Sequence, residues 1–71
     1  MSTAIPLEQQ IAEVRREIAL RQHVYPKFVT KGTLSQAQAD KQQRAMIAVL
    51  ATLQGIAASQ AALAFEQPKV P

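Results

Sequence analysis

The sequence predicts an all-α protein that folds as a two-helix antiparallel hairpin, and it predicts that two such hairpins associate into a four-helix bundle. Three observations support this prediction. Two segments carry apolar residues at helical spacing, a proline and a glycine stand between them, and the second segment is the longer one. A chain of 71 residues forms one domain with a small core. We therefore treat residues 1–71 as a single helical-hairpin domain.

The composition restricts how so short a chain can be stabilised. It contains no cysteine and one histidine, which excludes disulfides, thiolate zinc sites and histidine clusters that bind metals. Small domains without these features depend on helix packing or on a partner chain. The sequence therefore predicts no cofactor and no metal site, and it favours oligomerisation.

The first helix is predicted over about residues 7–25, after a short arm formed by residues 1–6. Its apolar residues follow a four-three-four spacing that is typical of a helical seam, with Arg21 at the one polar step. Glu17 and Arg21 are four residues apart in the favourable order for an ion pair. Pro26 disfavours the α conformation of the residue before it, so we expect the helix to end near Tyr25. The seam consists of Leu7, Ile11, Val14, Ile18, Arg21 and Tyr25.

The connector is predicted over residues 26–34, and the second helix over about residues 35–65. Gly32 supplies a left-handed turn, and Ser35 with Gln38 fits a capping box that starts a helix. The apolar pattern then continues to Phe65. We expect residues 66–71 to form a frayed tail.

The second helix is predicted to be the dimer interface. At 1.5 Å per residue it is roughly 45 Å long, whereas the first helix is roughly 28 Å long. The first helix cannot cover the whole second helix, which is also apolar on more than one stripe. Uncovered apolar surface usually marks an interface, and two-fold homodimers are the commonest oligomers. The alternative to closed hairpins is a dimer in which the helices exchange partners between chains. The predicted interface residues are Met46, Val49, Leu50, Leu53, Ile56, Ala57 and Leu63.

The hairpin tip has two open interpretations. Its residues either plug the open end of the hairpin or contact another protein, and both can hold in a dimer. They are Tyr25, Pro26, Phe28, Val29 and Gly32.

A cluster of basic residues near the tip has two interpretations. The favoured one is an ordinary solvated surface, and the alternative is a site that binds nucleic acid. The connector is longer than the turn of a DNA-binding helix-turn-helix, and no third helix is predicted. The cluster consists of Arg15, Arg16, Arg21, Lys27 and Lys31.

An enzyme is not expected, because a two-helix hairpin offers no cleft in which the carboxylates or His23 could act as acids or bases. A membrane span is not expected either. The segment from Ala45 to Phe65 is uncharged, but it contains Gln54, Ser59 and Gln60. The N-terminal residues lack the pattern of a signal peptide, which predicts a cytoplasmic protein.

Residues 21–35 resemble a motif, roughly R-x-x-V-Y-P-x-x-V-x-x-G-x-[LM]-[ST], of a family of small bacterial and phage-type proteins. The similarity extends over about residues 17–53, through Ala39 and the segment that begins at Met46. The resemblance implies a helical hairpin and a phage or prophage context. It implies no activity.

Overall fold

The computed structural model describes residues 4–66, and the surroundings of side chains as far as Leu63. It contains two helices, α1 over Leu7–Lys31 and α2 over Gln36–Glu66, which pack against each other as a hairpin. Residues 4–66 form no strand. The predicted all-α hairpin is therefore confirmed. Met1–Thr3 and most of the tail that we expect to fray, Gln67–Pro71, lie outside the described residues.

Helix α1 passes through Pro26 and ends six residues later than Tyr25, at Lys31. This corrects the predicted end of the first helix near residue 25 and the predicted connector over residues 26–34. Pro26 has no N–H group, so the helical hydrogen bond to the carbonyl of Gln22 is missing, but proline's fixed φ is compatible with a helix. The real connector is short, because only residues 32–35 lie between the two helices.

Gly32, rather than Pro26, ends α1. Its φ of 81° and ψ of 8° are left-handed, as the sequence predicts for this glycine. The N–H of Gly32 donates to the carbonyl of Val29 at 3.0 Å, and the N–H of Thr33 donates to the carbonyl of Phe28 at 3.0 Å. These two bonds form a Schellman motif, which satisfies carbonyls that the end of a helix leaves open.

The two glycines should respond oppositely to replacement by alanine. A Cβ added at Gly32 or at Gly55 would meet no atom within 4 Å beyond the local backbone, so the backbone conformation alone decides both outcomes. We expect Gly32→Ala to lower the free energy of unfolding by about 1–2 kcal/mol, because the left-handed φ is strained for alanine. We expect Gly55→Ala to raise it by up to about 1 kcal/mol, because Gly55 lies inside α2. Urea titrations followed by circular dichroism measure both, and two changes of the same sign would contradict this account.

Helix α2 begins with the predicted capping box. The N–H of Gln38 donates to the hydroxyl oxygen of Ser35, and the N–H of Ser35 donates to Oε1 of Gln38, both at 3.1 Å. The cap satisfies one of the free N–H groups at the helix start and fixes where α2 begins. Its bounds, Gln36–Glu66, lie within one residue of the predicted 35–65.

The two helices meet along a thin seam. The predicted seam of α1, from Leu7 to Tyr25, is half-buried throughout. On α2 a matching series with three- and four-residue spacing is shielded from solvent. Ala39 is the one buried side chain among the described residues, at 4% exposure. The hairpin therefore has a contact line between its helices and hardly any enclosed core. The α2 series consists of Ala39, Gln43, Met46, Leu50, Leu53 and Ala57.

Candidate functional site

A polar cluster ties the helices together near the tip of the hairpin. Arg21 of α1 donates from Nε to a carboxylate oxygen of Glu17 at 3.0 Å, and from Nη1 to the carbonyl of Gln42 at 3.1 Å. The hydroxyl of Tyr25 donates to Oε1 of Gln42 at 3.1 Å. The guanidinium carbon of Arg21 also lies 5.5 Å from the centre of the Tyr25 ring, within range of a cation–π contact. Arg21 thus fills the polar step of the α1 seam and bonds to both helices.

Gln43 adds a second polar link between the helices. Its Nε2 donates to the carbonyl of Ile18 at 2.9 Å. Its Oε1 is shielded from solvent and has no hydrogen-bond partner among the described residues. Shielding this amide oxygen without a hydrogen-bond partner costs free energy, which offsets part of what the bond to Ile18 contributes. The bond to Ile18 forms in only one alignment of the two helices, so Gln43 favours that alignment while adding little net stability.

Arg21 and Arg16 provide a matched pair for measuring the contribution of this cluster. Both form ion pairs within α1, but Arg16 and Glu13 are largely exposed, whereas only 22% of the Arg21 side chain is exposed. We expect Arg21→Ala to lower the free energy of unfolding by about 1–3 kcal/mol, because it removes the charged donor of two hydrogen bonds, one to the Gln42 carbonyl on α2 and one to the Glu17 carboxylate. Arg16→Ala should unfold close to the wild type, because exposed ion pairs add little. Equal losses in a urea titration would contradict a role for Arg21 across the seam.

The residues predicted at the hairpin tip lie on different sides of it. Tyr25 and Val29 are half-buried, whereas Pro26 is exposed and 40% of the Phe28 surface is exposed to solvent. Two depressions flank the tip: one is lined by residues that include Pro26, Val29 and Gln43, the other by Tyr25, Phe28, Thr33, Leu34 and Gln42. Tyr25 therefore packs within the hairpin, while Phe28 faces outward beside Gln42.

The five predicted basic residues do not form one free patch. Arg21 is bound within the seam, and Arg16 donates to a carboxylate oxygen of Glu13 at 2.8 Å. The hydrogen bond to Glu13 raises the pKa of Arg16 above its ordinary value. Arg15, Lys27 and Lys31 are exposed, and within residues 4–63 none of them is in an ion pair.

The predicted dimer interface divides into two faces of α2. Met46, Leu50, Leu53 and Ala57 belong to the half-buried series that contacts α1. The other three, Val49, Ile56 and Leu63, have exposures of 44%, 44% and 65% and face solvent.

The exposed face of α2 has a regular pattern that our sequence prediction did not separate from the seam. Val49, Ile56 and Leu63 are seven residues apart, and small residues stand four residues before each of them. Residues with this alternating spacing of four and three share one side of a helix. The signal was present in the sequence, but only the position of α1 distinguishes this side from the seam. We call this set the α2 stripe: Ala45, Val49, Thr52, Ile56, Ser59 and Leu63.

The α2 stripe continues toward the tip of the hairpin. Gln42 precedes Val49 by seven residues and therefore lies on the same side of α2. Gln42 also lines the depression that contains Phe28. The polar side chain of Gln42 therefore lies between the apolar residues of the α2 stripe and the exposed ring of Phe28 on α1.

Helix α2 is also long and apolar enough to cross a membrane by length and composition alone. Over Gln36–Leu63 the most apolar window has a mean hydropathy of 1.6, and no residue of that window is buried. Length and composition of one helix are weak indications of a span, because helices that pack against protein have the same properties. The finding underlines how much apolar surface α2 exposes.

No residues in the described part of the chain form a group of three or more metal-ligating side chains. Comparison of the sequence with protein-family models, with curated proteins and with solved structures finds no match.

Proposed function

We propose that this protein is a small, non-enzymatic helical interaction module that self-associates through α2, so that two hairpins form a four-helix bundle. The observation that carries this proposal is the amount of surface that the single hairpin leaves exposed. The phage or prophage context, which rests on the sequence resemblance, is part of the same proposal.

The described part of the hairpin encloses almost no core. Ala39 is the one buried side chain among residues 4–63, at 4% exposure, whereas Val49, Ile56 and Leu63 are 44%, 44% and 65% exposed. Chains of this size that lack disulfides and metals depend on helix packing or on a partner chain for a core. A second helix packed on the exposed side of α2 supplies that core.

The chemistry of the exposed surface favours a protein partner. From Ala45 to Phe65 the sequence has no charged residue, and three large side chains of the α2 stripe face solvent. Such surface is covered when another apolar helix packs on it, which supplies the core that the single hairpin lacks. A second copy is the simplest partner, because in a two-fold dimer the α2 stripe of each chain covers the α2 stripe of the other.

Sedimentation equilibrium over low to high micromolar concentrations tests the proposal. We expect a dimer in buffer without lipid. When phospholipid vesicles are added, we expect the dimer to stay in solution and not to bind them. A helical monomer over the whole range would contradict self-association. Cosedimentation with the vesicles would instead indicate that α2 enters a membrane.

Retention of DNA or RNA tests the alternative function. Binding that weakens steeply with salt would indicate phosphate contacts and would favour nucleic-acid association through the exposed basic residues. We expect only weak retention, because Arg21 is bound within the seam and Arg16 is paired with Glu13.

A further inference from the structure

The α2 stripe alternates large and small side chains. Val49, Ile56 and Leu63 are the large members, and Ala45, Thr52 and Ser59 are the small ones. The two series occupy two different positions of the seven-residue repeat. All the large residues therefore lie at one position and all the small residues at the other.

This alternation distinguishes the two ways in which two copies of α2 can pack. In a parallel pair the same position of the repeat faces itself, so large residues meet large ones and small residues meet small ones. The layers of small residues would then be underfilled, and each unfilled gap costs free energy. In an antiparallel pair a large residue faces a small one in every layer. All layers then have similar volumes, which is the arrangement that packs to protein density.

We infer that two copies of this chain pack their α2 stripes antiparallel, with the two-fold axis between Thr52 and Ile56. In this register Ala45 lies opposite the partner's Leu63, Val49 opposite the partner's Ser59, and Thr52 opposite the partner's Ile56. The inference rests on the proposed self-association and specifies its face, its direction and its alignment.

This alignment is the one that uses the whole stripe. A shift by one repeat toward the N-terminus of α2 places Leu63 opposite the partner's Gln38 and Ser59 opposite the partner's Gln42. Leu63 then meets a polar amide instead of the methyl group of Ala45. The proposed alignment instead brings the partner's Leu63 close to the level of Gln42, where Phe28 lies in the depression at the tip. It covers Leu63, which at 65% exposure is the most exposed large apolar side chain in the described part of α2.

The absence of cysteine makes this register directly testable by disulfide formation. Chains carrying Ala45→Cys are mixed with tagged chains carrying Leu63→Cys, unfolded, refolded together and oxidised. We expect the mixed disulfide as the main covalent product on a non-reducing gel and little product from either chain alone. In a parallel dimer, residues 45 and 63 would be about 27 Å apart, beyond the reach of a disulfide. Each variant would then crosslink to itself.

Two controls make the crosslinking result specific. Chains carrying Ile47→Cys, mixed with the Leu63→Cys chains, should not crosslink, because residue 47 lies on the other side of α2. A second pair, Val49→Cys with Ser59→Cys, should reproduce the mixed disulfide and guards against misfolding of one variant. Circular dichroism shows whether each variant keeps its helix content.

The outcomes separate this inference from the proposed function. If the cysteine-free chain is a monomer by sedimentation, both fail. If it is a dimer and Ala45→Cys or Leu63→Cys chains crosslink mainly to themselves, the antiparallel register is wrong and self-association stands. A dimer in which neither pair crosslinks would show that the two α2 stripes do not pack in this register, which overturns the inference and leaves self-association standing.

Discussion

Replacing Ile56 with aspartate is expected to convert the dimer into a monomer over the micromolar range. Ile56 lies next to the proposed two-fold axis and opposite the partner's Thr52, so each dimer would bury two carboxylates, with no basic residue on the α2 stripe to pair with them. Burial of an unpaired charge costs several kcal/mol after relaxation. A total of about 4 kcal/mol or more corresponds to a dissociation constant at least about a thousandfold higher. Sedimentation equilibrium measures it directly.

Ile47→Asp is the matched control for this substitution. Ile47 and Ile56 are both isoleucines of α2, with exposures of 47% and 44%. They are nine residues apart, which is about two and a half helical turns, so they lie on opposite sides of the helix. We expect Ile47→Asp to leave the dissociation constant within a few-fold of the wild type. Equal weakening by both variants would mean that general loss of apolar surface, rather than the α2 stripe, controls association.

Replacing Pro26 with alanine should give the largest gain in stability. Proline inside a helix is about 3 kcal/mol less favourable than alanine, because it removes a hydrogen bond and crowds the preceding turn. An alanine at position 26 can donate its N–H to the carbonyl of Gln22. We expect the free energy of unfolding to rise by about 1–3 kcal/mol, measured by urea titration at a fixed protein concentration.

Pro6→Ala is the control, because Pro6 stands at the N-cap of α1, where a missing N–H has no helical partner to lose. We expect it to lower the free energy of unfolding by less than about 1 kcal/mol, through the greater freedom of the unfolded chain. A loss of stability in Pro26→Ala would contradict the continuous helix and would indicate that proline favours a break at residue 26.

The ends of the helices were predictable wherever a local hydrogen bond decides them. Ser35 and Gln38 are three residues apart and bond to each other's backbone N–H, so the start of α2 follows from the sequence. Gly32 is left-handed for the same kind of reason, since the neighbouring carbonyls need donors and glycine has no Cβ to oppose the turn. The α1 seam was also predictable, because helical spacing alone places its residues on one side.

Pro26 was not predictable from local rules. Proline at position 26 costs the helix one hydrogen bond. Continuing the helix to Lys31 keeps Val29 half-buried and lets the Schellman motif satisfy the carbonyls of Phe28 and Val29, which outweighs that cost. The predicted interface shows the same limit. Met46 and Ile56 are equally apolar in the sequence, yet one faces α1 and the other faces solvent.

The sequence by itself determined the fold class, the start of α2, the left-handed glycine and the α1 seam. Each of these depends on residues within a few positions of one another, so spacing and side-chain chemistry suffice. The tertiary structure decided where α1 ends and which side of α2 it covers, and so which apolar residues remain exposed. These outcomes depend on contacts between residues far apart in the chain, such as Arg21 with Gln42 and Gln43 with Ile18. Helix α2 is apolar on two sides, and only the position of α1 decides which side becomes the seam and which side remains exposed as the α2 stripe.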